Sequence, residues 1–196
     1  MHGLINRSVQ CFIRDTYGPR MWQQVALDAR IGIDDFEAML NYDDDLTFKV
    51  LTAARAALDK PIETILEDMG TYLVSHPTTE ALRRLLRFGG ETFVDFLYSL
   101  DDLSDRARLA LPGLDLPALE LHEKTTTGYQ VLCAPGMPGF AYVMIGILRT
   151  MADDYGALVV LEHQGQCEAG DCIDVSLLEA AFTTGRRFEL AAGVAI

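Results

Sequence analysis

Four residues in the second half of the chain have the types and spacing of a metal site. His163, Cys167 and Cys172 follow one another with three and four residues between them, and Cys133 is the candidate for a fourth ligand. Thiolate and imidazole suit Zn²⁺, and a turn between strands can bring such ligands together. The compact knuckle with two residues between its cysteines is missing, so two unpaired hairpin thiols are the alternative. The pattern therefore predicts either a zinc site or a thiol-based redox switch.

Signals for enzymatic chemistry are weak elsewhere. The sequence has no glycine-rich phosphate loop, no metalloprotease helix motif and no nucleophile elbow. Its acidic groups, such as Asp43–Asp45, Asp101–Asp102 and Asp153–Asp154, fall at predicted helix ends, where they match the helix dipole. His122 alternates with leucines on a predicted strand and is expected on the surface. We therefore expect a protein without turnover of its own.

Composition narrows the class of partner. The 196 residues carry a net charge of −13 and are 49% hydrophobic, which is typical of a well-packed globular protein. An acidic surface repels nucleic-acid backbones and anionic lipids, so neither nucleic acid nor a membrane is an expected partner. The first residues contain charges and no uninterrupted apolar run, unlike a signal peptide. Four cysteines at irregular spacing then indicate a reducing, cytoplasmic environment.

Periodicity divides the chain into a helical part and a sheet part. Residues 1–109 show helical spacing of apolar side chains, including a short helix at 34–40 and a long one at 79–100. After the proline-rich connector at 111–117, LPGLDLP, alternating segments and one amphipathic helix follow in the order β-β-α-β-β. The tail, 184–196, is either a last strand or a loose end. The predicted fold is α+β, with a helical N-terminal subdomain packed on a lobe that contains a four-stranded antiparallel sheet and a helix.

Several segments, taken in order, resemble a known family. They are MHGLINRSVQCFIRDTYGPRMW, YDDDLTFKVLTAA, FGGETFVDFLYSLDDL and LALPGLDLP. Together with the element order, they are similar to the haem-NO/oxygen-binding (H-NOX, or HNOB) domains, which are akin to the sensor part of soluble guanylate cyclase. The similarity spans nearly the whole chain. It implies a single H-NOX domain over 1–196, with a helical distal subdomain at about 1–60 and the long helices and sheet lobe at about 61–196.

The resemblance implies a mechanism as well as a fold. In the family, haem lies between the helical subdomain and the sheet lobe, and a histidine binds its iron. A Tyr-x-Ser-x-Arg motif on the first hairpin holds the propionates, and a proline presses on the ring. NO weakens the bond between iron and histidine, and the helices shift against a partner. Such a partner is a signalling protein, in bacteria often a histidine kinase or a cyclic-di-GMP enzyme.

Some of the family's haem-contacting positions are matched in this chain, and others are altered. Leu4, Ile5 and Val9 match the apolar side of the pocket formed by the first helix. The family's iron-binding histidine falls at Ser104, and no histidine occurs in the stretch 77–121. A serine hydroxyl is a poor iron ligand, because it is neither soft nor readily ionised.

The propionate motif is also altered. Pro117 matches the proline that presses on the ring, and Tyr129 matches the tyrosine of the motif. Val131 stands in place of the serine and Cys133 in place of the arginine, which removes the bidentate grip on a carboxylate. The resemblance therefore predicts a sensory module that has lost histidine-ligated haem. The alternatives are a genuine haem gas sensor with atypical ligation and a zinc or thiol redox switch, since some family members carry cysteine-ligated zinc in the sheet lobe.

Overall fold

A computed structural model describes residues 1–167 and 169–186, so most of the ambiguous tail lies outside the described residues. The N-terminal part consists of helices. Their bounds are α1 Gly3–Tyr17, α2 Pro19–Ala29, α3 Asp44–Leu58, α4 Ile62–Ser75, α5 Glu80–Arg87, α6 Phe93–Tyr98 and α7 Leu103–Ala110, with a 3₁₀ turn at Pro77–Thr79.

Glycine and proline set the helix boundaries that the sequence predicts. Gly18 ends α1 with a φ of 93°, which favours glycine, and Pro19 occupies the first turn of α2. The backbone N–H of Gly18 donates to the Arg14 carbonyl at 3.0 Å. Pro61 precedes α4, whose first turn contains Glu63. The structure confirms both junctions. They occur there because neither residue type is favourable inside a continuous helix.

The short helix predicted at 34–40 does not form. Instead, the Phe36 backbone N–H donates to Oε1 of Gln10 at 2.8 Å, and Trp22 Nε1 donates to the Asp34 carbonyl at 2.8 Å. Phe36 is fully buried between these elements. Side chains of α1 and α2 therefore satisfy backbone groups that a helix would otherwise satisfy internally.

The long helix predicted at 79–100 is divided in two. The chain turns at the glycine pair between α5 and α6, and Gly89 comes so close to Ser99 there that an added Cβ would overlap the Ser99 side chain. Thr92 then starts α6 with a capping box, in which its hydroxyl accepts from the Asp95 N–H at 3.1 Å and its own N–H donates to Asp95 Oδ2. The prediction followed the apolar spacing, which continues across the break, and it missed the cap.

The C-terminal part is a four-stranded antiparallel sheet in the order β1-β2-β4-β3. Its elements are β1 Leu119–Glu123, β2 Gly128–Cys133, α8 Phe140–Tyr155, β3 Leu158–Cys167 and β4 Gly170–Glu179. Helix α8 covers one face of the sheet, which we call the inner face. The predicted order β-β-α-β-β and the α+β class are confirmed.

Buried side chains form two clusters. One, which we call the helical cluster, joins α1, α2, α3 and α4. The other joins α5, α6 and α7 to the sheet and α8. Tyr142 and Val143 of α8 contact both clusters. The subdomain boundary near residue 60 stays a prediction. Within the described chain, no helix combines the length and apolarity needed to cross a membrane.

Candidate functional site

Ser104 and Pro117, which the sequence places at one site, lie in direct contact. Ser104 is the second residue of α7, and its Oγ donates to the Pro117 carbonyl at 2.7 Å. Asp101, just before α7, accepts the Leu121 N–H at 2.8 Å and so ties the start of the helix to β1. Arg106 on the same helix donates to the Ser99 carbonyl at 2.9 Å. Helix α7 is thus fixed to its neighbours at several points, and the Ser104 hydroxyl is engaged within the protein.

The residues of the altered propionate motif lie in the core. Tyr129, Val131 and Cys133 alternate along β2 and all point to the inner face, where they are buried. Val131 is fully buried and Cys133 is 2% exposed. Burial raises the pKa of the Cys133 thiol to about 12, with the nearby Asp171 carboxylate acting in the same direction. Cys133 is therefore neutral at physiological pH and offers no positive charge to an anion.

The three predicted pocket residues of the first helix differ in how deeply they are buried. Val9 packs in the helical cluster and is 3% exposed, whereas Leu4 and Ile5 are half-buried. His2, which was not among the predicted site residues, precedes them and caps α1: its Nδ1 accepts the Leu4 N–H at 3.2 Å. Its ring faces Gly113 in the connector, since a Cβ added there would lie 3.8 Å from Cδ2 of His2. Histidine is not a preferred N-cap, so the sequence carried no signal for this contact.

His163 lies on the inner face beside the start of α8. Its ring is 4.6 Å from the Tyr142 ring, centroid to centroid, and its Nε2 is 3.5 Å from Asp171 Oδ1. Burial raises the pKa of Tyr142, as does the negative charge of Glu63. No local pattern marks Tyr142, because its neighbours on α8 are mostly apolar.

The predicted zinc site is not formed, which is a correction. Cys133 pairs with Asp171 in the register and faces inward with His163, while Cys172 pairs with Leu132 and faces the opposite side of the sheet. Neighbouring residues of a strand point to opposite faces, so ligands predicted from spacing alone are divided between them. Over residues 1–167 and 169–186, no three side chains of the His, Cys, Asp and Glu types come together as a metal ion requires.

Soluble guanylate cyclases are among the known proteins that this chain is similar to. Soluble guanylate cyclase gcy-31 of Caenorhabditis elegans is 25% identical over 163 residues, which are 83% of this chain and 23% of that protein. Soluble guanylate cyclase 89Db of Drosophila melanogaster is 24% identical over 194 residues, or 97% of this chain and 29% of that protein. The chain thus spans about a quarter of the length of these relatives.

Solved structures share the fold. The Fe(II) unliganded H-NOX protein from K. algicida has a TM-score of 0.78 at 15% identity, covering 91% of this chain and 97% of that one. A variant of the H-NOX protein from S. oneidensis, in the Fe(II) ligation state, has a TM-score of 0.77 at 13% identity, covering 92% of this chain and 97% of that one. The sequence model of the haem-NO-binding family matches residues 2–163. The chain belongs to the haem-NO-binding, or H-NOX, family.

Proposed function

We propose that this chain is a sensory or regulatory H-NOX module that acts by contact with a signalling protein and does not hold haem through an axial histidine. It has no turnover of its own. The family and the fold support the sensory role, and the residues at the family's haem positions support the departure from it.

The main support for this proposal is Ser104, which stands at the position of the family's iron-binding histidine. An iron ligand must present a lone pair to the metal, and serine does so poorly because its hydroxyl stays protonated at physiological pH. In this chain the hydroxyl donates to the Pro117 carbonyl at 2.7 Å, which fixes it against the connector. The hydrogen bond joins the same helix and proline that the family couples through the haem. We infer that the hydrogen bond between Ser104 and Pro117 links α7 to the connector directly, whereas the family links them through the haem.

The propionate positions support the same inference. A propionate needs a cation or several N–H and O–H donors, and the family supplies both from alternate residues of one strand. Val131 has no polar side-chain atom, and the buried Cys133 thiol, with its pKa raised to about 12, is neutral. The residues present at these positions therefore do not fit the carboxylates of haem.

His2 caps α1 beside the connector, where its Nδ1 accepts a hydrogen bond from the Leu4 N–H at 3.2 Å. His76 is engaged elsewhere, stacked on Tyr72 at 4.7 Å between ring centroids and bonded through Nδ1 to Thr78 at 2.7 Å.

The partner we propose is a signalling protein. The resemblance to bacterial family members points to a histidine kinase or a cyclic-di-GMP enzyme, and the curated relatives are themselves soluble guanylate cyclases. In each case the module would act through a protein surface rather than through a product of its own. A pull-down with candidate partners from the neighbouring genes would test this part.

The haem part of the proposal is tested by a visible spectrum. Protein expressed with added haem is purified, and its absorbance is recorded in the reduced form before and after NO. We expect no stoichiometric Soret band. A band at one haem per chain that shifts with NO would overturn the proposal in favour of a gas sensor with atypical ligation.

A restoration experiment tests whether the residues at the family's haem positions cause the loss of haem binding. Ser104→His alone, and Ser104→His combined with Val131→Ser and Cys133→Arg, are compared with the wild type by the same titration. Because an arginine at 133 enters the core, circular dichroism must first show that the triple variant is folded. We expect haem affinity to rise at least about tenfold in the folded variants, and an unchanged affinity would show that Ser104 is not the missing ligand position.

A further inference from the structure

The loop between α2 and α3 is held in place at several points. The Leu40 carbonyl accepts the Gly3 N–H at 2.7 Å, and the Tyr42 N–H donates to the Met1 carbonyl at 3.0 Å. Two further hydrogen bonds tie the loop to α1 and α2. A surface whose backbone is already ordered loses little conformational freedom when a partner binds to it. The side chains of this loop are therefore presented to solvent in a prepared arrangement.

Three large apolar side chains of this region are exposed. Met39 is 70% exposed and Leu40 is 54% exposed, while Phe48, in the second turn of α3, is 43% exposed. A single exposed apolar side chain is ordinary, but these three fall within residues 39–48, next to a backbone that is fixed. Methionine also adapts its shape to a partner, because its side chain is unbranched and flexible. The region therefore offers apolar contacts that the described chain leaves uncovered.

The same region is strongly acidic. Residues 34–48, which we call the acidic segment, contain six carboxylates and no Lys, Arg or His. The carboxylates belong to exposed residues, namely Asp34, Asp35, Glu37, Asp43, Asp44 and Asp45. The Met1 amino group pairs with Asp44 Oδ1 at 2.5 Å, Arg7 donates to the Phe36 carbonyl at 3.0 Å, and Lys49 follows the segment. These cations offset only part of the negative charge, so the segment stays acidic.

We propose that the acidic segment is the docking site for a basic amphipathic helix of a partner protein. Such a helix carries apolar side chains along one stripe and Lys or Arg beside it. The apolar stripe suits Met39, Leu40 and Phe48, and the basic residues suit the carboxylates of the same segment. Complementary charge also speeds the encounter of the two surfaces. The inference rests on the proposed function, to which it adds the chemistry of the partner and the surface that takes it.

Charge argues against two other occupants of the acidic segment. A second copy of this chain would bring the same carboxylates together across a symmetric contact, and each copy has a net charge of −13. An anionic lipid surface would be repelled for the same reason. A basic protein segment is the occupant whose charge is opposite to that of the surface.

Fluorescence anisotropy of a labelled peptide tests the docking site. The probe is an amphipathic peptide of leucine and lysine, about 18 residues long, and the full chain is titrated into it at about 0.15 M NaCl. The control peptide has the same composition in an order that spreads leucine around the helix. We expect saturable binding of the probe, at least about tenfold tighter than that of the control. No saturable binding, or equal affinity for the two peptides, would overturn the proposal.

Apolar variants locate the contact on the chain. Met39→Ser combined with Leu40→Ser should weaken probe binding about tenfold, because two apolar contacts are lost. Phe88→Ser combined with Leu109→Ser is the matched control, since these side chains are 71% and 85% exposed elsewhere on the surface, and it should bind as the wild type does. Sedimentation velocity should give the same mass for the wild type and for both variants. A wild-type dimer that the Met39 and Leu40 changes dissociate would assign the segment to a second copy and overturn the proposal.

Charge variants separate this site from general attraction to an acidic protein. Asp34→Asn combined with Glu37→Gln should weaken probe binding several-fold and make it less sensitive to salt. Glu91→Gln combined with Glu179→Gln changes the net charge equally at exposed positions elsewhere, and it should change binding by much less. Equal losses in the two variants would mean that net charge alone attracts the peptide. A candidate signalling partner that binds the wild type and both acidic-segment variants equally would leave the proposed function in place and overturn this docking site.

Discussion

At the scale of single residues, Asp154 near the end of α8 is a buried carboxylate that is paired with arginine side chains. It is 4% exposed and accepts from Arg83 Nε at 2.9 Å and from Arg83 Nη2 at 3.2 Å. Arg87 approaches the same carboxylate at 3.6 Å, with its guanidinium over the Tyr155 ring. A buried charge is tolerated when its counter-charge is held in good geometry.

Asp154→Ala should therefore destabilise the protein by about 3 kcal/mol, because it removes the carboxylate on which two guanidinium groups converge. The free energy of unfolding in urea measures this. Asp153→Ala, next to it but exposed, is the matched control and should change stability by less than about 0.5 kcal/mol. Equal losses in the two variants would show that the ion pair contributes nothing specific.

A second residue-scale contact links α4 to α1. The Tyr72 hydroxyl donates to Asp15 Oδ2 at 2.7 Å. Desolvation raises the pKa of Asp15, but the hydrogen bonds from Tyr72 and Arg14 outweigh it, and the pKa is lowered overall. A carboxyl whose folded pKa is lowered contributes stability above its unfolded pKa and loses it as the pH falls through the folded value.

Tyr72→Phe should cost about 1.5 kcal/mol near neutral pH, since it removes one hydrogen bond to a charged acceptor. The difference from wild type should shrink below about pH 4, where the Asp15 carboxylate becomes protonated. Urea unfolding at a series of pH values measures both. Tyr42→Phe, whose hydroxyl accepts a backbone N–H from Glu37, is the control and should show a pH-independent difference. A difference for Tyr72→Phe that stays constant down to about pH 3 would argue against this role of Asp15.

At the scale of elements, the crossing of α4 and α8 joins the two hydrophobic clusters. Gly70 and Gly146 face each other: a Cβ on Gly70 would lie 3.0 Å from Cα of Gly146, and a Cβ on Gly146 would lie 2.9 Å from Cα of Gly70. Here two helix backbones touch, and the glycines are needed for space rather than for backbone conformation. Helix α8, which packs on the sheet, is thus set directly against α4, which packs with α1, α2 and α3.

Gly146→Ala should destabilise the protein by about 2 kcal/mol or more, because the added methyl group would push the two helices apart. Thermal and urea unfolding measure the loss. Gly32→Ala is the control: its φ of 65° costs about 1 kcal/mol, but nothing lies within 4 Å of the added methyl. A smaller loss for Gly146→Ala than for Gly32→Ala would show that the crossing can open without cost.

At the scale of the whole molecule, charge works against the compact state. The net charge of −13 arises from 29 acidic and 16 basic residues, so exposed carboxylates repel one another. Salt screens such repulsion over a Debye length that falls from about 30 Å at 0.01 M to about 3 Å at 1 M. Buried pairs such as Arg83 with Asp154 are screened much less.

The urea midpoint should therefore be higher in about 1 M NaCl than in about 0.01 M NaCl, with an unchanged slope of the unfolding transition. KCl should act in the same way, because the effect depends on ionic strength rather than on a bound sodium ion. A midpoint that falls as salt is added would mean that exposed ion pairs, such as Arg149 with Glu67, outweigh the repulsion.

The sequence predicted the element order because the signals for it are local. Proline and glycine interrupt helices at Gly18, Pro19 and Pro61, and alternation marks the strands around Tyr129 and His163. It failed where a backbone group finds a partner far along the chain. The backbone N–H of Phe36 bonds to the side chain of Gln10, 26 positions earlier in the chain, and no local pattern shows that contact.

The sequence by itself determined the family, the α+β class and the residue types at the candidate sites, including Ser104 and Cys133 in their altered positions. Only the tertiary structure decided which of those residues meet. Strand register places Cys133 and Cys172 on opposite faces and so divides the predicted zinc ligands, while it brings Cys167 to Cys172. The packing of α7 against the connector brings the Ser104 hydroxyl to the Pro117 carbonyl. The physical reason is that composition and spacing fix chemistry along the chain, whereas register and packing fix distances across it.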